Sequence, residues 1–250
     1  MARFKAGGAF SIRLDKIGAE PSLEGRVVTQ TSTTLQVEMT NTAYVTLSGY
    51  NFSYGPPGPV LSGTITGLSA GIHGINGYTL TGLKVSGSLA AGRLVANDSE
   101  GFFALLLSKN DTITGSRYKD YLKGYAGKDV IKAGGGNDTL VGGDGSDTLY
   151  GGAGEDTFIF KLKDAGSDRI ADFSARSDKI HIDWAGGRTG VGLNNFVYGS
   201  QASDSEDRVI YDQASGRVYF DPDGTGYKPQ ILVAKVKPGL GLTDDNFLLI

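Results

Sequence analysis

Apolar residues recur along this chain at two spacings, and neither is helical. In the first hundred residues the spacing is two. Phe10, Ile12 and Leu14 alternate with polar neighbours, as do Leu35, Val37 and Met39, and then Tyr50, Phe52 and Tyr54. Alternation of this kind predicts strands. A Thr-Gly-Leu step at Thr66 and again at Thr81 predicts stacked short strands, and "YGPPGP" over 54–59 predicts a turn or short linker. Only 88–108 reads as helical, with a break near Asn97. Beyond it the spacing becomes nine. Asp111, Asp120, Asp129, Asp138, Asp147 and Asp156 stand nine residues apart, and two residues after each comes Ile113, Leu122, Ile131, Leu140, Leu149 or Phe158. After the repeats, Val218 and Phe220 alternate, then Ile231 and Val233, which predicts two strands around a turn.

A nine-residue unit is too short to bury a face alone, whereas stacked units bury one together. A three-residue strand turns its middle side chain inward, which accounts for one apolar residue per nine. The remaining six residues form a loop, and there glycine gathers. The four best loops hold Gly124, Gly127 and Asp129; Gly134, Gly135, Gly136 and Asp138; Gly142, Gly143, Asp144, Gly145 and Asp147; and Gly151, Gly152, Ala153, Gly154 and Asp156. Glycine permits the positive φ that aims carbonyls at a common centre, and aspartate adds a carboxylate. Such oxygens suit calcium, which takes six to eight ligands at about 2.3–2.6 Å. One loop is too poor in ligands, but two loops on the same edge suffice. If successive strands lie in opposite sheets, same-edge loops are eighteen residues apart.

Composition narrows the classes. The chain has 250 residues, 39 glycines and no cysteine, so neither a disulfide scaffold nor a cysteine-ligated zinc site is available. A net charge of −3 gives no reason to expect a nucleic-acid partner. No apolar run approaches the roughly 20 residues of a membrane span. The first eighteen residues lack a continuous apolar core, so a cleaved secretory signal is not expected. Taken alone, that would place the protein in the cytoplasm.

The repeats reverse that placement. The pattern G-G-x-G-x-D-x-U-x, complete at 142–147 and 151–156, resembles the repeats-in-toxin (RTX) family of secreted proteins. The resemblance implies an all-β protein with minor helix. Its centre would be a parallel β-roll with calcium held between same-edge loops. It implies pairs of Asp129 with Asp147 and of Asp138 with Asp156, and a weaker pair of Asp120 with Asp138, since "GSRYKD" keeps a single glycine. The segment "DTFIF…SDRIADFSARSDKIHID" is similar to the one that follows the last repeat in serralysin-type RTX proteases, and reads as a β-rich cap. Asp168 and Asp172 are further candidate ligands there. Asp221 and Asp223, in D-x-D-G, form a partial calcium loop that reads first as a hairpin turn. The ending "LTDDNFLLI" resembles the uncleaved signal of type I export. The expected organisation is a β-rich region over 1–105, a calcium-binding roll over 106–160 and a β cap with the export signal over 161–250.

Two enzyme classes compete with this reading. An RTX zinc protease needs H-E-x-x-H, and His73 and His181, the chain's two histidines, do not form it. "GLSAG" over 67–71 matches the G-x-S-x-G of a lipase, but that motif needs a strand, a sharp turn and a helix. The expectation is a secreted calcium-binding protein with no catalytic residues. Calcium would drive its folding after export, and its role would be attachment to a cell surface or matrix polysaccharide. A secreted esterase or lipase with an RTX tail, and a calcium-dependent lectin, are the alternatives.

Overall fold

The structure is a computed structural model. It describes residues 99–164, 166–184 and 195–250, together with six strands nearer the N-terminus. These are β1 (Arg3–Ala6), β2 (Arg26–Gln30), β3 (Thr34–Glu38), β4 (Ala43–Gly55), β5 (Gly58–Ile72) and β6 (Ile75–Ser86). The alternating residues Phe10, Ile12 and Leu14, as well as Met39 and the stretch 88–98, lie outside the described residues. Leu35 and Val37 fall in β3, and Tyr50, Phe52 and Tyr54 in β4. Strands β2 to β6 form an antiparallel meander.

Among the described residues one α-helix, α1 (Ser99–Leu106), precedes the repeats. Phe103, Leu106 and Leu107 fall at i, i+3 and i+4, so they share a face, and all three are buried in the core. The backbone N–H of Ala126 donates to the Leu107 carbonyl at 3.3 Å, which ties the end of the helix to the repeats.

The repeats then wind as a roll. Strands β7 (Thr112–Thr114), β9 (Val130–Gly135) and β11 (Thr148–Ala153) pair in parallel in one sheet. Strands β8 (Tyr121–Gly127), β10 (Thr139–Gly145) and β12 (Thr157–Lys161) pair in parallel in the other. Same-sheet neighbours are eighteen residues apart, as the nine-residue unit requires when strands alternate between sheets. Ile113, Ile131 and Leu149 share one register, Leu122, Leu140 and Phe158 the other, and all six are fully buried between the sheets. Each contributes on the order of 1.5–3 kcal/mol by leaving water.

Strands β8 to β11 are longer than three residues, because pairing continues into the glycine loops. Gly143 pairs with Tyr125 and Gly145 with Gly127, and Gly152 pairs with Gly134. Close stacking is the cause. A Cβ at Gly145, where φ is +144°, would run into the Gly127 carbonyl.

The chain beyond the repeats extends both sheets. Strand β13 (Asp168–Ile170) adds to β11, and β14 (Lys179–Asp183) adds to β12. Later come β15 (Phe196–Tyr198), β16 (Val209–Asp212), β17 (Arg217–Phe220), β18 (Ile231–Lys235) and β19 (Phe247–Leu249). Strand β18 lies parallel to β13 and antiparallel to β17, whereas β19 lies parallel to β14. Asn246 anchors β19 by donating from its amide to the Ala175 carbonyl at 2.9 Å and the Asp178 carbonyl at 3.1 Å. At the other end β1 pairs in parallel with β7, placing Phe4 beside Ile113. Among the described residues the result is one 14-stranded sheet and one 5-stranded sheet, nearly all β, with the roll's apolar rows buried between them.

Candidate metal centre

The six repeat aspartates are all buried, at 2% exposure or less. An ionised carboxylate in that setting needs partners. Half of the need is met by a ladder of backbone bonds. The N–H of Asp111 donates to Asp129 Oδ1 at 2.7 Å, and that of Asp129 to Asp147 Oδ1 at 2.8 Å. On the opposite edge Asp120 donates to Asp138 Oδ1 at 2.8 Å, and Asp138 to Asp156 Oδ1 at 3.0 Å. The pairs named from sequence, Asp129 with Asp147, Asp138 with Asp156 and Asp120 with Asp138, are therefore brought together.

The second carboxylate oxygen is different. Oδ2 of Asp129, Asp138, Asp147 and Asp156 is buried and has no hydrogen-bond partner. On Asp129, Asp147 and Asp156 this oxygen faces the first glycine of the loop, Gly124, Gly142 or Gly151. A Cβ on Gly124 would stand 2.5 Å from Asp129 Oδ2 and 2.6 Å from the Gly142 carbonyl oxygen. A Cβ on Gly142 would meet Asp147 Oδ2 and lie 2.9 Å from Asp168 Oδ2. Glycine thus leaves open a space into which a carboxylate and an oxygen from the next same-edge loop both point. Among the described residues no three acidic or histidine side chains gather at one point. A cation held here would be ligated by carbonyls as much as by carboxylates, which is calcium chemistry.

Electrostatics agree. Burial pushes the Asp129 carboxyl up to about 7, opposed by the Asp111 N–H and reinforced by the charges of Asp147 and Asp111. Burial likewise pushes Asp138 and Asp168 up to about 7 and Asp147 up to about 6, and it raises Asp156. Groups this reluctant to ionise in a protein-only environment are suited to a cation that restores the charge balance.

The ends of the ladder are finished differently. Asp120 accepts from Ser116 twice, from the backbone N–H at 2.5 Å and from Oγ at 3.1 Å. Asp178 accepts at Oδ1 from the Asp156 N–H at 3.3 Å and from Ser177 Oγ at 2.9 Å, and at Oδ2 from the Ser174 N–H at 2.8 Å. In both, a serine four residues upstream supplies the bond that no interior rung makes. Asp168 continues the first edge, its Oδ1 accepting from the Asp147 N–H at 2.9 Å. Asp172 is occupied otherwise, because its two oxygens accept from the N–H groups of Gly151 at 3.0 Å and Gly152 at 3.1 Å.

Asp178 was missed in the sequence. Its signal was the Asp-x-Ile step of "SDKI", matching "SDRI" at Asp168 and the Asp-x-apolar step of every repeat. The phase hid it, because Asp156, Asp168 and Asp178 are twelve and ten residues apart rather than nine. Ile170 and Ile180 nevertheless continue the two interior rows and are fully buried.

Asp221 and Asp223 sit apart from the roll, in the loop between β17 and β18. The Asp223 N–H donates to Asp221 Oδ1 at 3.1 Å, and Asp223 Oδ2 accepts from the Lys228 N–H at 3.2 Å, so this loop folds on itself as a turn. The G-x-S-x-G stretch runs through the interior of β5, with Ser69 opposite Thr46 and Thr79. It makes no strand-to-helix elbow. His181 lies in β14, and His73 is outside the described residues.

Comparison with known proteins bears on the same segment. The family model for the RTX calcium-binding nonapeptide repeat matches residues 107–140 and 133–160. The rungs from Asp111 to Asp156 are RTX repeats. The family binds calcium, and its repeats imply an extracellular, calcium-rich destination. The chain is also similar to the solution structure of the AlgE6R3 subunit from the Azotobacter vinelandii mannuronan C5-epimerase, with 25% identity over 56% of this chain and 78% of that one and a TM-score of 0.38. No curated protein sequence matches the chain. Among the described residues no helix is long and apolar enough to cross a membrane.

Proposed function

We propose that the protein is an extracellular calcium-binding protein whose RTX roll folds when calcium arrives, and that it serves attachment to a cell surface or matrix polysaccharide without catalysis. The observation that carries the reading is the set of buried, unpartnered Oδ2 atoms on Asp129, Asp138, Asp147 and Asp156. In the absence of calcium these carboxylates repel one another, and the glycine loops lose too much entropy to order. The chain then stays extended enough for passage through a type I export channel. Outside, calcium binds the folded roll and stabilises it by RT ln(1 + [Ca]/Kd), about 2.7 kcal/mol per site at a hundredfold excess.

The ligands in this reading come from two edges. One edge carries Asp129, Asp147 and Asp168 with the loops that begin at Gly124 and Gly142. The other carries Asp138 and Asp156 with the loops of 133–138 and 151–156. The non-catalytic part of the reading is supported by the mid-strand position of Ser69, which leaves its G-x-S-x-G stretch without a nucleophile elbow. Circular dichroism of the protein in chelator and then in millimolar calcium tests the proposal. A gain of β signal on adding calcium is expected. A spectrum that is the same in both conditions contradicts it.

A further inference from the structure

The outer face of the larger sheet carries a row of cations to which the calcium site gives no role. In β17, β18 and β13, three neighbouring strands, Arg217 lies opposite Lys235, and Lys235 lies opposite Arg169. The next residues along these strands, Val218, Ala234 and Ile170, are buried at 0% exposure, so the three cations point away from the core. Arg169 and Arg217 are exposed and Lys235 is half-buried. Neighbouring strands run about 4.8 Å apart, and like charges directly opposite destabilise a sheet. Among the described residues, neither Arg169 nor Lys235 has a side-chain hydrogen bond or ion pair. Asp212 lies opposite Arg217 at the end of the row and meets its charge, its carboxylate also accepting from Ser215, so the cations without a partner are Lys235 and Arg169. In the other direction the row runs on to Thr148 and Val130. Beside it Lys132 stands over the Tyr150 ring, its Nζ 5.6 Å from the centroid.

We propose that this row is a docking surface for a linear polysaccharide bearing carboxylates. The proposal rests on the extracellular attachment reading above for where the ligand is met, and it names the ligand class and the face. A polyuronate carries one carboxylate per sugar, so charges recur along it at a step comparable with the strand spacing. Arginine pairs with a carboxylate through two parallel N–H bonds. Tyr150 offers a ring face and Thr148 a hydroxyl, both suited to sugar rings. The row crosses the strands on an open face, which suits a chain laid across it. Nucleic acid fits less well, because nucleic-acid-binding domains are ordinarily strongly basic as a whole, whereas this protein carries a net charge of −3 and offers one short row of cations.

The test is titration of the calcium-loaded protein with a galacturonate hexasaccharide, using Arg169→Gln/Lys235→Gln as the variant. The expected result is saturable, salt-sensitive binding that weakens about tenfold or more in the variant. Maltohexaose, its neutral counterpart, is expected not to bind. Lys235→Arg keeps the charge and should retain binding. Circular dichroism through a calcium titration reads folding separately. An unchanged calcium midpoint with lost binding assigns the loss to the face. A parent protein that ignores calcium contradicts the calcium reading, while its hexasaccharide binding is still measured. Undiminished binding by the double variant, equal binding of maltohexaose, or tighter binding of a DNA duplex or of anionic vesicles would overturn the proposal.

Discussion

At the scale of single residues, the two oxygens of each repeat aspartate have separate tasks. One accepts a backbone bond that holds adjacent turns in register, and the other is left for a cation. Asp138 keeps its Oδ2 open, whereas Asp120 has spent its side chain on Ser116. Asp138→Ala is therefore expected to raise the calcium midpoint of folding more than Asp120→Ala does, since weaker binding to the native state shifts folding to higher calcium. Circular dichroism through a calcium titration reads both variants, and equal midpoints in parent and both variants would mean that these carboxylates hold no metal. Protons compete for the same oxygens. In the calcium-free roll the carboxyls of Asp129 and Asp138 lie at about 7, above the ordinary value near 3.9. The folded state then binds protons more tightly than the unfolded one. This contribution is fully present below about pH 4 and is lost as pH rises through about 7. The calcium-free protein should gain roll structure on acidification from pH 8 to pH 5, and calcium should be needed most at the alkaline end. Thermal melts in chelator across that range check this, and a calcium-free roll that is most stable at pH 8 would contradict it.

At the scale of elements, the nine-residue period predicted the winding, the eighteen-residue offset and the fully buried row from Ile113 to Phe158, because each unit repeats one physical requirement. What the period concealed has equally physical causes. Asp178 lies out of phase because longer connections intervene, and no glycine marks its loop. The length of the strands was hidden because it depends on turns stacking on one another, which a single unit does not reveal. The serines that finish the ladder at Asp120 and Asp178 are ordinary residues whose role exists only once the fold places them. Stacking also separates glycines that look alike in the sequence. Gly145→Ala drives a Cβ into the Gly127 carbonyl at a positive φ, whereas a Cβ at Gly241 meets nothing within 4 Å. The first substitution is expected to destabilise the calcium-loaded roll by more than about 1 kcal/mol and the second to be close to neutral. Chemical denaturation in saturating calcium compares them, and equal midpoints would count against the stacked-turn account.

At the scale of the whole molecule, the roll is continuous with what precedes and follows it. The buried interior row runs from Ile113 through Ile131 and Leu149 to Ile170, with β1 paired alongside β7 at its start, and its counterpart runs from Leu122 to Phe247. Residues distant in sequence thus join the same two sheets as the calcium loops, so ordering those loops is coupled to the docking of β1, β18 and β19. Calcium in this account organises a large part of the protein rather than a local loop. The most direct test is calorimetric titration of the calcium-free protein at neutral pH, with circular dichroism on the same samples. At least two calcium ions should bind with a concurrent gain of β structure, and magnesium should do little, because its tight octahedral demand is poorly met by carbonyl-rich loops. A protein that is fully folded in chelator and takes up no calcium, or that responds equally to magnesium, would contradict the account.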